Sequence, residues 1–297
     1  MTHQTIDAVP VPSAGGKTFT TRLRIAFSRL AERKSAMFGL AFLILLALIA
    51  IFAPLIAPYE ADEFTSGVLV GPSWEHPFGI DQIGRDVFSR VILGSRISLS
   101  VGFLAVSISL VFGVTLGILA GYYRGWLDNA FMRLMDVVMA MPYVLLAVLI
   151  AAVLGPSLQN GIIAIGIVRI PRFARVARAA TIATARLQYV EAARCIGATD
   201  RRIILREILP NILGPLVVYS TLSLGEAILA AAVLSFLGLG AQPPTPEWGA
   251  MLQEAQRYLT TAPFLSIFPG LFVFMTVLSF NLLGDGLRDI LDPKSRG

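Results

Sequence analysis

Long stretches without a charged residue recur along the chain, and polar segments separate them. An α-helix rises about 1.5 Å per residue, so about 20 apolar residues cross the roughly 30 Å hydrocarbon core of a bilayer. The pattern therefore predicts an all-α fold, a polytopic membrane protein with six transmembrane helices. The predicted spans are residues 35–59, 97–123, 131–154, a fourth that starts near residue 160, 208–240 and 258–284.

Three of these spans contain residues that shape a helix. Pro142 lies inside the third span and predicts a kink, because proline removes a backbone hydrogen bond and clashes with the preceding turn. Arg169 and Pro171 interrupt the fourth span. The second span has glycines at positions 113, 117 and 121. Their four-residue spacing predicts a smooth helix face that a neighbouring helix can approach closely.

The charges between the spans predict the orientation. Residues 169–206 contain nine basic and two acidic residues, and residues 1–34 contain six basic and two acidic ones. The segment 60–96 has six acids and three bases. Cytosolic segments are enriched in lysine and arginine. We therefore expect cytosolic tails at 1–34 and 286–297, both termini inside, and an extracytoplasmic loop at 60–96.

The composition agrees with a lipid environment. Hydrophobic residues make up 56% of the chain and charged residues 14%, against about 45–50% and about 25% in soluble domains. The net charge of +5 is interleaved with apolar runs, so it indicates orientation in a bilayer and no nucleic-acid partner. The single cysteine, Cys195, and two distant histidines allow no internal disulfide and suggest no metal site.

One polar segment, residues 184–210, is arginine-rich and yet precedes a strongly apolar span; we call it the hairpin segment. Its sequence predicts two short helices joined at Gly197, a natural helix terminator, with Thr199 or Asp200 capping the second helix. Helices this short are not stable alone in water, so they need a surface to dock on. That surface is either the lipid headgroups or another protein. The first helix has an apolar stripe at Tyr189, Ala192, Ala193 and Ile196.

The hairpin segment resembles the EAA loop of the membrane subunits of bacterial ABC importers, a coupling helix that sits in a cleft of the ATPase subunit. The matching residues are Glu191, Ala192, Ala193, Gly197, Leu209 and Pro210. One departure is that the pattern has an isoleucine two places before the leucine, where this chain has Glu207. The resemblance implies that the two alanines let the helix sit deep in the cleft, that Glu191 makes a polar contact and that Gly197 permits a sharp exit. Ala198 and Asp200 complete the coupling residues.

Three further blocks resemble the C-type permease of dipeptide, oligopeptide and nickel importers. They are HPFGIDQIGRDVFSRVILGSRISL at 76–99, SFLGLGAQPPTPEWGAML at 235–252 and FNLLGDGLRDILDP at 280–293. With the spans inferred above, the chain divides into a first transmembrane helix at 35–59 and a five-helix core at 97–285, which the resemblance identifies as the permease core. The resemblance also implies a transport subunit of the bacterial cytoplasmic (inner) membrane, with no catalytic residue, no metal and no cofactor of its own. The implied partners are a second homologous permease, two ATPase subunits that bind ATP and Mg, and an extracytoplasmic substrate-binding protein.

Two further sets of residues are candidates for function. Glu226 stands alone in the fifth span, where a charge is costly, so it should face a wet cavity or a partner. With Ser223 and Asn281 it is a candidate for the substrate path; a hydrogen-bonded glutamate between helices is the alternative. Residues 78–96 are expected to form an interfacial helix outside the membrane. The side chains expected to dock the binding protein are Arg85, Asp86, Glu247 and Trp248.

The cargo and the energy source leave alternatives open. Peptides are the first interpretation of the resemblance, and nickel, glutathione, D,D-dipeptides or a sugar-like oligomer are the others. An ion-driven secondary transporter with Glu226 as proton carrier is a rival, but the sequence has no visible internal repeat. A membrane-embedded enzyme would need paired acids, metal ligands or an activated nucleophile at one depth, and the sequence suggests none.

Overall fold

The computed structural model describes residue 30 and residues 32–291 of the chain. The predicted tails therefore lie largely outside the described residues. Apart from two isolated β-bridges, the regular structure in this part of the chain is helical. The helices are α1 Lys34–Ile56, α2 Val87–Tyr123, α3 Gly125–Met139, α4 Tyr143–Leu154, α5 Leu158–Thr184, α6 Gln188–Cys195, α7 Asp200–Phe236, α8 Trp248–Ala255 and α9 Phe264–Leu291.

The described residues include four helices that are long and apolar enough to cross a membrane, namely α1, α2, α7 and α9. The pair α3 and α4 makes a fifth span if the two bent helices are counted together. Helix α5 has 27 residues, enough for about 40 Å, but its arginines keep it outside the apolar set. The structure thus confirms an all-helical membrane fold, and the sixth span stays a prediction.

The kink expected at Pro142 is confirmed, and it is a full break. Helices α3 and α4 meet at 88° across residues 140–142, and Pro142 sits immediately before the first residue of α4. A proline lacks the amide proton that would continue α3, and it disfavours helical geometry at the residue before it. By contrast, Pro171 lies inside α5, which continues through it.

The expectation of a separate interfacial helix at 78–96, followed by a span from residue 97, is wrong. Helix α2 starts at Val87 and runs without a break to Tyr123. Asp86 caps it, since its Oδ2 accepts the backbone N–H of Ser89 at 2.7 Å. Arg90 stays inside the helix because it is buried and donates to the carbonyl oxygen of Ala61 at 2.8 Å. Asp86 and Arg90 therefore have local partners, whereas Arg96, next to the predicted start of the span, is exposed within the helix.

The glycine stripe on α2 is confirmed as a helix contact, and the partner is α5. A Cβ placed on Gly113 would lie 2.8 Å from the carbonyl oxygen of Ile170, and one on Gly121 would lie 2.9 Å from that of Arg178. At Gly117 it would collide with the carbonyl oxygen of Ala174. Both helices advance together along this contact, so they run parallel and reach the same end of the bundle.

That end also gathers the start of α1 and the end of α9. Arg33 Nη1 and Asp289 Oδ2 form an ion pair at 2.8 Å, and a Cβ on Gly39 would meet the backbone of Ser279. The hairpin segment follows α5 at the same end, which we call the hairpin face. The opposite end carries residues 57–86 and α8, and we call it the loop face.

Arginines on α5 hold the bent pair α3–α4 through α3. Arg178 donates from Nε to Asp128 Oδ1 at 2.5 Å and from Nη2 to Oδ2 at 2.6 Å. One turn earlier, Arg175 Nη2 lies 2.5 Å from Asp136 Oδ1. The Asp128 side chain is 12% exposed and that of Asp136 is 55% exposed. A two-pronged and partly buried pair is stronger than an exposed single contact.

We therefore expect Asp128→Asn to lower the free energy of unfolding by about 1–2 kcal/mol. The matched change Asp136→Asn, on the same two helices, should cost less than about 1 kcal/mol because water screens that pair. Thermal unfolding of the purified chain in detergent measures both. Equal losses for the two variants would contradict the difference we assign to burial and geometry.

Candidate functional site

The hairpin segment begins with a helix whose end is fixed by its backbone. After α6, Gly197 has φ +79°, a left-handed conformation that glycine adopts without the clash of a Cβ. The N–H of Gly197 donates to the carbonyl oxygen of Arg194, and that of Ala198 to the carbonyl oxygen of Ala193, each at 3.0 Å. These two bonds form a Schellman motif. The predicted sharp exit at Gly197 is therefore present.

The second part of the hairpin segment differs from the prediction. It is the first part of α7, a single 37-residue helix from Asp200 to Phe236. A π-helical stretch, Ile203–Ile208, lies within α7, and the N–H of Leu209 donates to the carbonyl oxygen of Ile204, five residues back. The wider turn accommodates Pro210, which has no N–H to donate. The polar half and the apolar half of α7 are thus mechanically continuous.

A small apolar cluster anchors α6 to the bundle. Val190, Ile203 and Ile208 are fully buried together, and they pack with Ile118 of α2 and Ala177 of α5. The sequence-based stripe missed Val190, because its period placed the contact face on the neighbouring positions. Most of that stripe instead faces outward: Ile196 is 81% exposed, and Tyr189 and Ala192 are also exposed.

Tyr122, near the end of α2, is a second anchor that the sequence did not reveal. Its hydroxyl donates to Asp200 Oδ1 at 2.7 Å. The guanidinium of Arg194 lies 5.2 Å from the centre of its ring, within cation–π range. One side chain therefore ties both arms of the hairpin segment to α2. Glu191 and Asp200 are themselves exposed, so the outward face carries both apolar and acidic groups.

Glu226 has partners inside the bundle. Its Oε2 accepts from Arg169 Nη2 at 2.6 Å and lies 3.5 Å from Arg172 Nη1, both on α5. Arg169 is 3% exposed, whereas the side chains of Arg172 and Glu226 are 43% and 45% exposed. The buried Arg169 thus neutralises the glutamate, and almost half of the glutamate side chain remains exposed. The structure shows the hydrogen-bonded glutamate between helices that was the alternative interpretation, and its role in a substrate path stays a prediction.

The other two residues expected along the substrate path are less open. Ser223 is 1% exposed, one turn before Glu226 on α7. Asn281 is half-buried on α9. Helices α7 and α9 touch nearby, since a Cβ on Gly225 would lie 3.2 Å from Phe280 Cβ. The hydrogen bonds of Glu226 in the described part of the chain go to arginines of α5, so the structure does not join the three candidates into one cluster.

The four side chains expected to dock a binding protein are buried, which corrects the idea of a direct contact. Exposure is 3% for Arg85, and 2% or less for Asp86, Glu247 and Trp248. Arg85 bonds to Asp81 and Glu254, both at 2.6 Å, and Asp86 bonds to His76 Nδ1 at 2.9 Å. Glu247 caps α8, and Trp248 Nε1 donates to the carbonyl oxygen of Val91 at 3.0 Å. These four side chains stabilise the loop face through buried hydrogen bonds.

Three large hydrophobic side chains of the loop 57–86 are exposed on the loop face. Phe64, Val68 and Trp74 are 70%, 60% and 103% exposed. They were not among the sequence-based candidates, because charged residues were expected to form most of the docking surface. In the described part of the chain, no group of three or more His, Cys, Asp or Glu side chains is placed to hold a metal ion.

Glu247 gives the loop face a pH dependence. Burial raises the pKa of its carboxyl group, against hydrogen bonds from the backbone and from serine side chains. The folded chain therefore holds this proton more tightly than the unfolded chain. Its contribution to stability is present below the unfolded pKa of about 4.3 and is lost as the pH rises through the raised folded pKa.

We expect Glu247→Gln, which keeps an oxygen to accept the N–H of Ala250, to remove this loss. The melting temperature of the variant relative to the parent should rise as the pH increases above about 4.3. Melting curves of both proteins in detergent across that pH range test the point. A difference that stays constant with pH would show that Glu247 titrates alike in both states.

Comparison of the sequence with known proteins assigns the chain to a family. Residues 113–297 match the binding-protein-dependent transport system inner membrane component, and residues 21–69 match the N-terminal TM domain of oligopeptide transport permease C. The dipeptide transport system permease protein DppC of Alkalihalophilus pseudofirmus is 49% identical over 274 residues, 92% of this chain and 90% of that protein. The glutathione transport system permease protein GsiD of Escherichia coli O157:H7 is 51% identical over 271 residues, 91% of this chain and 89% of that protein.

A solved structure has the same fold. A chain of the MetNI methionine ABC transporter, in an inward facing conformation, superposes with a TM-score of 0.55 and 21% identity. The match covers 68% of this chain and 96% of that chain. The solved structure shows the fold, and the sequence matches confirm the resemblance seen in the motifs. The chain is a multi-pass membrane permease and belongs to the family of binding-protein-dependent transport system inner membrane components.

Proposed function

We propose that this chain is the permease subunit of an ATP-driven importer for di- or oligopeptides, and that separate ATPase subunits grip its hairpin segment. The observation that carries the proposal is the two-sided α6. Val190 fixes one side to the bundle, while Ala192, Ile196 and Glu191 stand exposed on the other. Helix α6 has eight residues and packs on the bundle with one side. Its other side is free to bind a partner, and the packing holds the short helix in place.

The helix geometry supports a route for the force. The hairpin segment continues into α7 without a break in the helix, and α7 carries Glu226. A rigid displacement of the hairpin segment therefore reaches the middle of the bundle along one helix. Tyr122 transmits the same displacement to α2. Two alternative packings of such helices would open the path first to one side and then to the other.

The charge pattern supports the orientation that we propose. The basic hairpin segment lies on the hairpin face. The start of α1 and the end of α9 lie there too, and the Arg33–Asp289 ion pair joins these two helix ends. The positive-inside rule puts this face in the cytosol of a bacterial cell. The loop face then meets the substrate-binding protein, and its exposed apolar side chains Phe64, Val68 and Trp74 take the docking role that was expected of the buried residues.

The names of the relatives support peptides as the proposed cargo. Their names give dipeptide and glutathione transport, and glutathione is itself a tripeptide. We therefore place peptides first, and nickel or D,D-dipeptides behind them. A second permease, two ATPase subunits with ATP and Mg, and a binding protein would complete the machine.

The test is reconstitution of the complete assembly in lipid vesicles. We expect peptide to accumulate inside only with ATP and the binding protein, and mass spectrometry of the purified binding protein to find peptides as trapped ligands. Import driven by an ion gradient without ATP would refute the proposal, and a trapped metal or sugar ligand would refute the peptide cargo.

A further inference from the structure

Two arginines and one glutamate lie close together in the bundle, so their charges do not sum to zero. Arg169 and Arg172 of α5 are both positive, and within the described residues Glu226 is the only carboxylate in ion-pairing distance of either. The next arginine along α5, Arg175, is neutralised by its own partner, Asp136. The cluster of Arg169, Arg172 and Glu226, which we call the triad, therefore carries one surplus positive charge.

The surplus charge belongs to Arg172. Arg169 is 3% exposed and makes the short contact with Glu226, at 2.6 Å. Arg172 is 43% exposed and lies at 3.5 Å from the same oxygen, a distance too long for a strong charge-assisted bond. Its guanidinium also lies 5.5 Å from the centre of the Tyr143 ring, which supports a cation without neutralising it.

Arg172 lines a cavity of about 350 Å³ beside the break between α3 and α4. The rest of the wall is mostly apolar and includes Met139, Pro142, Tyr143 and Val168. Small-molecule sites combine such walls, in cavities of about 300–1,000 Å³, with a few well-placed polar groups. Here the charged side chain in the wall is Arg172, whose hydrogen bond within the described residues is the long one to Glu226.

In the membrane orientation proposed above, the triad lies several helical turns from the loop-face end of α7. Glu226 is ten residues from the end of α7 at Phe236, which corresponds to about 15 Å along the helix. An uncompensated charge at such depth is costly. An arginine there favours the binding of an anion, and a guanidinium binds a carboxylate in a two-pronged geometry.

We propose that Arg172 is a carboxylate-binding site in the transport path, and that Arg169 and Glu226 hold its side chain in position. The ligand class is the terminal carboxylate of a peptide, so this proposal rests on the peptide cargo proposed above. Glu226, whose side chain is 45% exposed, would meet the amino end of a short peptide. A zwitterionic cargo would thus find both signs of charge in one place.

The test uses the complete assembly in vesicles and two probes: a mixture of di- and tripeptides with free C-termini, and the same mixture amidated at the C-terminus. Arg172→Gln should lower import of the free peptides about tenfold or more, as expected for loss of a charge-assisted bond. Import of the amidated peptides, relative to the parent, should fall less than about threefold. Arg172→Lys should recover part of the loss, since it restores the charge.

Two controls separate this site from general damage. Arg175→Gln removes an exposed arginine one turn away and should lower import of both mixtures to the same small extent. ATP hydrolysis stimulated by the binding protein should persist in Arg172→Gln. Preferences of the binding protein cancel, because each variant is compared with the parent on the same mixture.

Equal losses on both mixtures, or no loss on the free peptides, would overturn the carboxylate-binding site. A parent assembly that imports neither mixture would instead overturn the proposed function. The two failures are therefore distinguishable in one experiment.

Discussion

Replacing Val190 with aspartate is expected to abolish import while the membrane helices stay assembled. Val190 is fully buried and is the residue of α6 that seats it on the bundle. An unpaired carboxylate at this place costs several times the thermal energy, about 3 kcal/mol or more. Helix α6 has eight residues and cannot hold itself together alone. It should detach, and the ATPase would then have no rigid handle to move.

The matched control is Leu187→Asp. Leu187 occupies the cap position of α6, makes no capping bond and is 47% exposed. Aspartate is a good cap, so this change should leave α6 intact or stabilise it by about 0.5–1 kcal/mol. Import and co-purification of the ATPase subunits are measured for both variants. Normal import by Val190→Asp would show that the seat of α6 does not matter for transport.

Replacing Gly117 with alanine is expected to destabilise the bundle at the contact between α2 and α5. The added methyl group would collide with the carbonyl oxygen of Ala174 and lie 2.7 Å from Ala177 Cβ and 3.0 Å from Arg178 N. Backbone atoms cannot swing aside, so the helices must separate. Overpacking of this kind costs about 1–3 kcal/mol, and it acts on the helix pair that places both Arg172 and the hairpin segment.

Gly270→Ala, in helix α9, is the comparison. A Cβ there would find its nearest neighbour, Leu252 Cδ2, at 3.7 Å, an ordinary contact. Alanine also favours a helix over glycine by about 1 kcal/mol. We expect a lower melting temperature in detergent for Gly117→Ala and an unchanged or higher one for Gly270→Ala. The reverse order would mean that the glycine stripe is not a contact surface.

Much of the fold could be predicted because membranes impose simple rules. Runs of apolar residues set the spans, and the amino-acid pattern alone was enough to locate a break at Pro142 and a helix contact at the glycine stripe. The start of α2 was missed because Arg96 set the predicted boundary at residue 97. The helix in fact continues through Arg96, which is exposed, and through Arg90, which is buried and hydrogen-bonded to Ala61. Sequence shows a charge but not its partner.

The same limit explains the site. The EAA-type pattern located the hairpin segment, because a motif with fixed spacing can be recognised in the sequence without knowing which residues surround it in the fold. Its anchors, Val190 and Tyr122, could not be found, since their partners come from α2, α5 and α7. Glu226 was recognised as unusual, but its pairing with Arg169 required the packing of α5 against α7.

Photocrosslinking from position 192 in the assembled transporter gives the most direct view of what the hairpin segment touches. Ala192 is exposed on the outward side of α6, so a photoreactive side chain there should fit without disturbing the seat at Val190. We predict a covalent adduct with an ATPase subunit, and none from a probe at Trp74 on the loop face. Adducts from position 192 with lipid alone, in an assembly that contains the ATPase, would contradict the coupling role.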